Sequence, residues 1–502
     1  MKRDSRQVLA LLERLFDQTA PPPLYRQLYE LLRHMIVDGE LEAGTRLPST
    51  RDIGETLGMS RHTVSTAMDQ LVGEGYVVGR HGSGTYVSDH FRQQQRSPSR
   101  PLPTFPPQGN PALSARGRGL TTSLRSPFIP GHPWAHQADG PAFRIGLPAV
   151  DQFPGSRWAR ALAAAWQEES AAGLGYQDPL GHRGLREEIA THLRASLGMI
   201  CQAEQVIVAA GSQGAVDLCC RVLVDPGEPV AMEDPGSLGA RLAALASGAR
   251  IVPVPVDANG MDVARLTDSG ANLRVIFVSP SHQFPTGVAL SLERRLALIT
   301  FAAQTGAWIL EDGGDGYLRY GGRQLDPLAV LDRTGHVIYI GTFSNVMFPA
   351  LRLGYLVIPM ELVDVFAAAH LSVDIHRPAL EQAALARFIR EGHFALHLRR
   401  SREVHAERRQ ALLDAAQEVF DGTLAIAPAQ AGLHLLVRLP AEVDDVAVAE
   451  AALRRGVDVR PLSIYNLASD RRGLLLGYGG VPPALIRPAV ERLEAAIHEV
   501  AG

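Results

Sequence analysis

Apolar residues near the start of the chain recur at helical spacing. Leu24, Leu28, Leu31, Leu32, Met35 and Ile36 fall on one face, which predicts an amphipathic helix. The stretch LPSTRDIGETLG predicts a second helix, with Ser49 as its N-cap, Ile53 and Leu57 inward, and Gly58 ending it. Ser60 caps a third, on which Val64, Ala67, Met68, Leu71 and Val72 keep the same periodicity. GYVVGRHGSGTYVSD then gives two short β-rich runs around a glycine turn, the signal of a hairpin.

The pattern changes after about residue 140. RVIFVSPS precedes a helical SLERRLALITFAAQ, and WILEDGG, HVIYIGTFS and LRLGYLVIP are apolar runs of strand length. Such alternation predicts an α/β domain, a largely parallel sheet with helices on both faces. From about residue 360 the pattern is mostly helical with a few later strands, a smaller α+β lobe. Between the two regions, Phe91–Arg125 is rich in Pro, Ser, Gly and Gln and has no acidic residue. It carries arginines at 92, 96, 100, 116, 118 and 125. It reads as a linker, placed where it could also brush DNA phosphates. The expected divisions are an extension over 1–21, a winged helix-turn-helix over 22–89, a linker over 90–139 and a large domain over 140–502.

Composition changes this picture in two places. At 46% hydrophobic and 20% charged residues, the chain fits a globular protein with a large core. Cys201, Cys219 and Cys220 form no CxxC pair, which suits a reducing compartment. The N-terminus is charged throughout, and no stretch approaches the roughly 18 apolar residues of a membrane span. A cytoplasmic protein with no membrane partner is expected. The net charge of −4 makes any DNA-binding surface local. Of 49 basic residues, only Lys2 is a lysine, so beyond the tail no side chain carries a primary amine.

Three helices and a hairpin, with a glycine turn between the second and third helices, make a winged helix-turn-helix. The outward face of the third helix presents Ser60, Arg61, His62, Thr63 and Ser65. These are short hydroxyls for phosphates and bases, and an arginine able to donate two parallel hydrogen bonds to guanine. Arg51 would meet a backbone phosphate, and the wing tip Arg80, His81, Gly82 would approach a groove wall. Over its whole length LYRQLYELLRHMIVDGELEAGTRLPSTRDIGETLGMSRHTVSTAMDQLVGEGYVVGRHGSGTYV resembles the GntR family of bacterial regulators. The resemblance implies double-stranded DNA as partner, with contacts from Arg51, Ser60, Arg61, His62, Thr63 and the wing at Gly82.

In the large domain, GSQGAVDL follows the strand QVIVAA and opens a helix, leaving backbone N–H groups free for a phosphate. EDGGDG ends a strand at Asp312, SPSHQFPTG ends another, and GTFSNVMFPALRLGY brings Thr342, Ser344, Asn345 and Arg352 together. In order and spacing these resemble the fold-type-I aminotransferases, which bind pyridoxal 5′-phosphate (PLP). A GntR head joined to such a domain resembles the MocR subfamily of transcription factors. The resemblance implies Ser212 and Gln213 at the phosphate, with Thr342 and Arg352 completing that cup. It implies Asp312 at the pyridine nitrogen, His282 and Gln283 near the ring edge, and Tyr176 at the pocket mouth.

Three positions depart from the family pattern. Asn345 stands where the family has the lysine that joins the PLP aldehyde as a Schiff base and then moves the substrate proton. An amide nitrogen is not nucleophilic and does not titrate. Gly314 replaces a tyrosine that bonds the ring hydroxyl, and Ser237 replaces an aromatic residue that stacks on the ring. His393 and His397, four apart, lack a third ligand and are not read as a metal site.

The expectation is a sequence-specific DNA-binding regulator whose large domain is catalytically dead. The family implies a head-to-tail homodimer. Two roles for the large domain stay open: a reversible sensor of PLP, a PLP–amino acid adduct or another anionic effector, and a module that only dimerises. The competing class is a PLP-dependent aminotransferase with an appended DNA-binding head, against which the missing lysine speaks.

Overall fold

A computed structural model of the chain describes residues 4–17, 21–80, 83–89, 113, 114, 116–118, 120, 142–168, 173, 175–268, 272–314, 316–320, 325–427 and 429–502. The chain divides into two compact units, Met1–Ala112 and Leu113–Gly502. Most of the expected linker, and His81 and Gly82 of the expected wing tip, lie outside the described residues.

The first unit holds helices α1 (Ser5–Leu15), α2 (Leu24–Val37), α3 (Thr50–Leu57) and α4 (Arg61–Gly73), then strands β1 (Val77–Arg80) and β2 (Gly84–Val87). Local chemistry sets the helix ends. Ser49 and Asp52 form a reciprocal capping box at α3, and Gly58 closes it in the left-handed conformation at φ 63°. Ser60 Oγ accepts from Thr63 N at 3.1 Å to start α4. Val64, Ala67, Met68 and Leu71 are buried. Val72 is 47% exposed, a correction to the predicted face. Eight residues on from Val64, it has turned about 80° off the buried stripe. Helix α1 was not predicted; Val8 and Leu12 bury it in the same core as Leu28, Leu32 and Ile53. The two strands pair antiparallel, Val77 opposite Val87 and Arg80 opposite Gly84.

The second unit is built on eight strands: β3 (Val206–Ala209), β4 (Pro229–Asp234), β5 (Arg250–Asp257), β6 (Gly260–Met261), β7 (Val275–Val278), β8 (Trp308–Asp312), β9 (Val337–Thr342) and β10 (Gly354–Val357). Their order is β3-β10-β9-β8-β7-β4-β5-β6. Neighbours from β5 through β4, β7 and β8 to β9 are parallel, whereas β10 runs antiparallel to both β3 and β9. Helices cover both faces, and alternate residues feed two cores. Tyr339, Tyr355 and Val208 enter one. Ile338, Ile340, Leu356 and Ile207 enter the other. A strand buried on both sides cannot show polar alternation, which is why these runs read as continuous apolar stretches.

A smaller lobe holds β11 (Ala425–Ala427), β12 (His434–Arg438), β13 (Arg460–Pro461) and β14 (Gly473–Gly477) in the antiparallel order β11-β12-β14-β13. Leu412, Val448, Leu476, Leu493 and the distant Phe143 share its core. Among the described residues no helix is long and apolar enough to cross a membrane.

Candidate functional site

In open α/β sheets ligands bind beyond the carboxyl ends of the strands. Here those ends are Ala209, Asp234, Val278, Asp312 and Thr342. A cavity of about 860 Å³ opens beside them, within the size range of small-molecule sites.

One end of it is a cup built on the helix Gly211–Leu223. Ser212 and Gln213, in its first turn, line the cavity together with Thr342, Ser344, Asn345 and Arg352. The close approach depends on Gly354. A Cβ there would stand 2.7 Å from the Gly211 carbonyl carbon and 2.9 Å from the Gly341 oxygen, so any side chain would push the helix off the sheet. Arg352 is exposed and donates from Nη2 to the Ala210 carbonyl at 3.1 Å, which aims its guanidinium across the helix N-terminus. Ser344 N donates to Thr342 Oγ1 at 3.2 Å. Ser344 Oγ is shielded from solvent and has no hydrogen-bond partner among the described residues. Free helix N–H groups, hydroxyls and a guanidinium make a site for a multiply charged oxyanion.

Asp312 and Gly314 sit just behind this lining. Gly314 N donates to Asp312 Oδ1 at 2.9 Å. A Cβ on Gly314 would lie 3.1 Å from that oxygen, 3.2 Å from Thr342 Cγ2 and 3.7 Å from Asn345 Nδ2. Asp312, Gly314, Thr342 and Asn345 are therefore neighbours. Behind them, Glu233 is buried beside Asp312. Burial, aided by the Asp312 charge, pushes its carboxyl up to about 8, although hydrogen bonds from Gln283 and Ser279 pull the other way.

Ser237 lines the cavity and has a structural task as well: its Oγ accepts from Ala240 N at 3.3 Å and caps the helix Leu238–Ser247. Gln213 reaches the same loop, donating from Nε2 to the Gly239 carbonyl at 2.8 Å. Three of the residues singled out in the sequence lie away from the lining. His282 is buried against the His434 ring, 5.1 Å between centroids. Gln283 donates to Pro235 O and Phe284 O, accepts from Thr286 N and Thr286 Oγ1, and bonds Glu233, tying its loop to the end of β4. Tyr176 is 84% exposed and packs edge-on to the His376 ring. His397 is buried and its Nε2 lies 2.6 Å from the Val346 carbonyl.

Further lining comes from the smaller lobe and the segment paired with it, and was not anticipated. Arg144, Asp458, Arg460 and Tyr465 supply it. Burial raises the Asp458 carboxyl even though Arg460 and Arg144 both draw it down. Burial likewise pushes the Tyr465 phenol up to about 12. Asp234, at the end of β4, ties the lobes together. It accepts from the N–H groups of Leu467, Ala468 and Ser469 and from Ser469 Oγ, at 2.7–2.8 Å. Those bonds outweigh its desolvation and hold the carboxyl below its usual range.

In the first unit, Arg61 and His62 are exposed at the start of α4. The hydroxyls of Ser60 and Thr63 lie 2.8 Å apart within the cap. Ser65 Oγ donates to Asp69 at 3.5 Å, Arg51 pairs with Glu55 at 2.8 Å, and Arg80 stacks over the Tyr86 ring. These pairs are exposed and weak. The structure thus places Arg51, Ser60, Arg61, His62, Thr63 and Ser65 on two neighbouring helices, with Arg80 on the hairpin.

Two family models match the chain. Aminotransferase class I and II covers residues 146–493, and the bacterial regulatory proteins of the gntR family cover residues 24–87. The chain is 38% identical over 494 residues to the probable rhizopine catabolism regulatory protein MocR of Rhizobium meliloti, covering 96% of this chain and 95% of that protein. It is 32% identical to the HTH-type transcriptional regulator TauR of Rhodobacter capsulatus, over 94% and 96% of the two chains. Its fold is similar to that of LysN, an α-aminoadipate aminotransferase from Thermus thermophilus solved with N-(5′-phosphopyridoxyl)-L-leucine. That match has a TM-score of 0.68 and 29% identity, over 72% of this chain and 93% of that one.

Proposed function

The chain belongs to the transcriptional regulators of the MocR/GntR type, with an aminotransferase-like domain, and we propose that this domain senses a phosphorylated ligand without catalysing transamination. One observation carries the reading. In 502 residues the single lysine is Lys2, so the large unit offers no side-chain primary amine, and Asn345 lines the cavity instead. Asn345 stands at the position of the family's anchoring lysine.

The cup fits the phosphate of PLP: the Gly211 helix N-terminus, Ser212, Thr342 and Arg352 are donors, and Ser344 Oγ, without a partner among the described residues, is one more. Asp312 would face the pyridine nitrogen. When bound, PLP supplies an electron-withdrawing ring that acidifies a neighbouring C–H. The lining offers no lysine to take that proton. PLP or a preformed PLP–amino acid adduct would therefore be held reversibly and left unchanged. In the head, Arg51, Ser60, Arg61, His62, Thr63, Ser65, Arg80, His81 and Gly82 would meet DNA, and a head-to-tail homodimer would present two heads to paired half-sites. An aminotransferase with an appended head would need an amine that the large unit lacks.

The test is to incubate the protein with PLP, reduce with borohydride and map peptides by mass spectrometry. No pyridoxyl group is expected on residues 142–502, and finding one there overturns the reading.

A further inference from the structure

The hairpin of the first unit carries a third extended segment. Arg46 bridges Tyr86 in antiparallel register. Val87 N donates to Thr45 O and Leu47 N to Thr85 O, both at 2.9 Å. These bonds flank the Arg46–Tyr86 pair without joining it, the pairing in which facing side chains approach most closely. Tyr86 also faces Val78 on β1, and Arg80 faces Gly84. Side chains alternate along a strand, so Arg46, Tyr86, Val78 and Arg80 share one face of this wing. The other face is core, where Thr45, Val77 and Val87 are buried.

The outer face is cationic. The Arg80 guanidinium sits 4.9 Å from the centre of the Tyr86 ring. Asp89 lies 3.7 Å from Arg80 Nη2, an exposed pairing worth little. Arg46 is exposed and runs across Gly84: a Cβ there would stand 3.1 Å from Arg46 Nε and 3.5 Å from Nη2. Gly84 has φ 108°, so glycine serves both the turn and the room this guanidinium needs. Among the described residues the Arg46 side chain makes no hydrogen bond or ion pair. Helix α1 adds a second cation. Ser5 Oγ donates to the Arg46 carbonyl at 3.5 Å, which sets the first turn of α1 against the same segment. Arg6, the next residue, is exposed. A positive charge in a first turn opposes the helix dipole, and this turn holds no acidic residue to offset it. Helix stability therefore gives no reason for an arginine there. Nor does the family pattern, because α1 precedes the stretch that the gntR model matches.

We propose that Arg46 and Arg6 form an accessory clamp on the DNA backbone, beside the helix-turn-helix, that binds phosphates and reads no bases. Continuity with the DNA-reading surface selects this partner: Leu47 and Pro48 lead from Arg46 into the Ser49 cap of α3, and Arg51 follows. A guanidinium laid across its own wing cannot project into a groove, whereas its free N–H groups suit the phosphates that the wing passes. The assignment rests on the reading that the head binds DNA.

The experiment uses the full-length protein, a duplex of its own promoter and a random-sequence duplex of equal length. Affinities are measured by fluorescence anisotropy between about 50 and 200 mM salt. Each neutralised phosphate contributes about 0.9 to the slope of log K against log salt. Arg46→Gln and Arg6→Gln should each make that slope shallower by about 0.9, and the double variant by about 1.8. At about 100 mM salt each single loss amounts to about eightfold, equal on both duplexes. The ratio of promoter to random affinity should therefore stay within about twofold of wild type. Arg46→Lys keeps the charge and should restore the slope, since a phosphate contact needs no bidentate fork. An unchanged slope in either glutamine variant removes that arginine from the clamp. A loss confined to the promoter duplex makes it a reader of bases and overturns the proposal. If the wild type binds neither duplex at the lowest salt, the DNA reading of the head falls, and the clamp with it.

Discussion

Arg352→Ala isolates the cup from the rest of the cavity. The guanidinium is exposed and donates to the Ala210 carbonyl at 3.1 Å, a single backbone contact, so little of the fold depends on it. Alanine would occupy the same left-handed backbone, φ 51°, that arginine already occupies, and the strain cancels. Global stability should therefore move by no more than about 0.5 kcal/mol. Binding should move much more. Hydrogen bonds to charged groups are worth about 1.5–3 kcal/mol each, and Arg352 is the cup's one cationic side chain among the described lining residues. Losing it should weaken PLP by roughly 10- to 150-fold. Pyridoxal, which lacks the phosphate, should change by less than about twofold. Calorimetric titration of both ligands into both proteins gives the four constants. An equal loss for pyridoxal, or no loss for PLP, would mean that the phosphate does not sit at Arg352.

Three further outcomes are expected. Asn345→Lys adds a primary amine to the cavity, so PLP followed by borohydride should label position 345 in the variant and not in the wild type. An unlabelled variant would show that Asn345 does not face the aldehyde. Arg61→Ala, on an exposed residue at the start of α4, should cost about 1–3 kcal/mol at the specific promoter site and leave the melting temperature unmoved; unchanged DNA affinity would remove α4 from recognition. Glu233 keeps a proton in the folded state up to about 8 that the unfolded chain releases above about 4.5, because burial disfavours the charge. The unfolded state then binds fewer protons across that window, and stability falls as pH rises through it. Glu233→Gln should narrow the stability difference between about pH 5 and pH 8 by more than about 1 kcal/mol in urea titrations. An unaltered difference would mean that Glu233 ionises normally.

What could be read from the sequence was what short-range chemistry decides. Ser49, Gly58 and Ser60 mark helix ends because capping involves only three or four neighbouring residues, and each does so in the structure. Helix α1 carried an equally local signal, with Asp4 and Gln7 in a capping box and Val8 and Leu12 four apart. The high charge of the segment hid it. Thr342, Ser344, Asn345 and Arg352, which line one cavity, could be grouped because a single sequence stretch holds them. Arg144, Asp458 and Arg460 were missed for the opposite reason. More than three hundred positions separate Arg144 from Asp458, and backbone pairing of Ala142 with Gly456–Asp458 brings them together. The insertion of β10 between β3 and β9 is likewise set by long-range pairing that no local pattern announces. Gln283 shows what a local pattern leaves out: its amide donates to the Pro235 carbonyl, 48 positions away in the chain, and accepts from Thr286 Oγ1.

The two sources of the cavity lining also indicate which ligand could carry a signal. The cup stands on the eight-stranded sheet, and Arg144 and Arg460 stand on the smaller lobe and the segment paired with it. The lobes meet where Asp234 holds Leu467–Ser469 and where the Tyr465 carbonyl accepts from Gly236 N at 3.2 Å and Arg241 Nη2 at 2.7 Å. A ligand shifts an equilibrium only by its differential affinity for the two states. One that fills the cup alone touches a single lobe and has no reason to prefer one arrangement of the two lobes over another. One that reaches Arg144 and Arg460 touches both lobes, and a tenfold gain that depends on their arrangement would tilt that equilibrium by about 1.4 kcal/mol. Amide hydrogen exchange at Leu467–Ser469 separates the cases. Protection should rise with phosphopyridoxyl derivatives of amino acids and stay level with phosphopyridoxyl-propylamine, which has no carboxylate, at matched occupancy. Equal protection by both would uncouple Arg144 and Arg460 from the lobe contact.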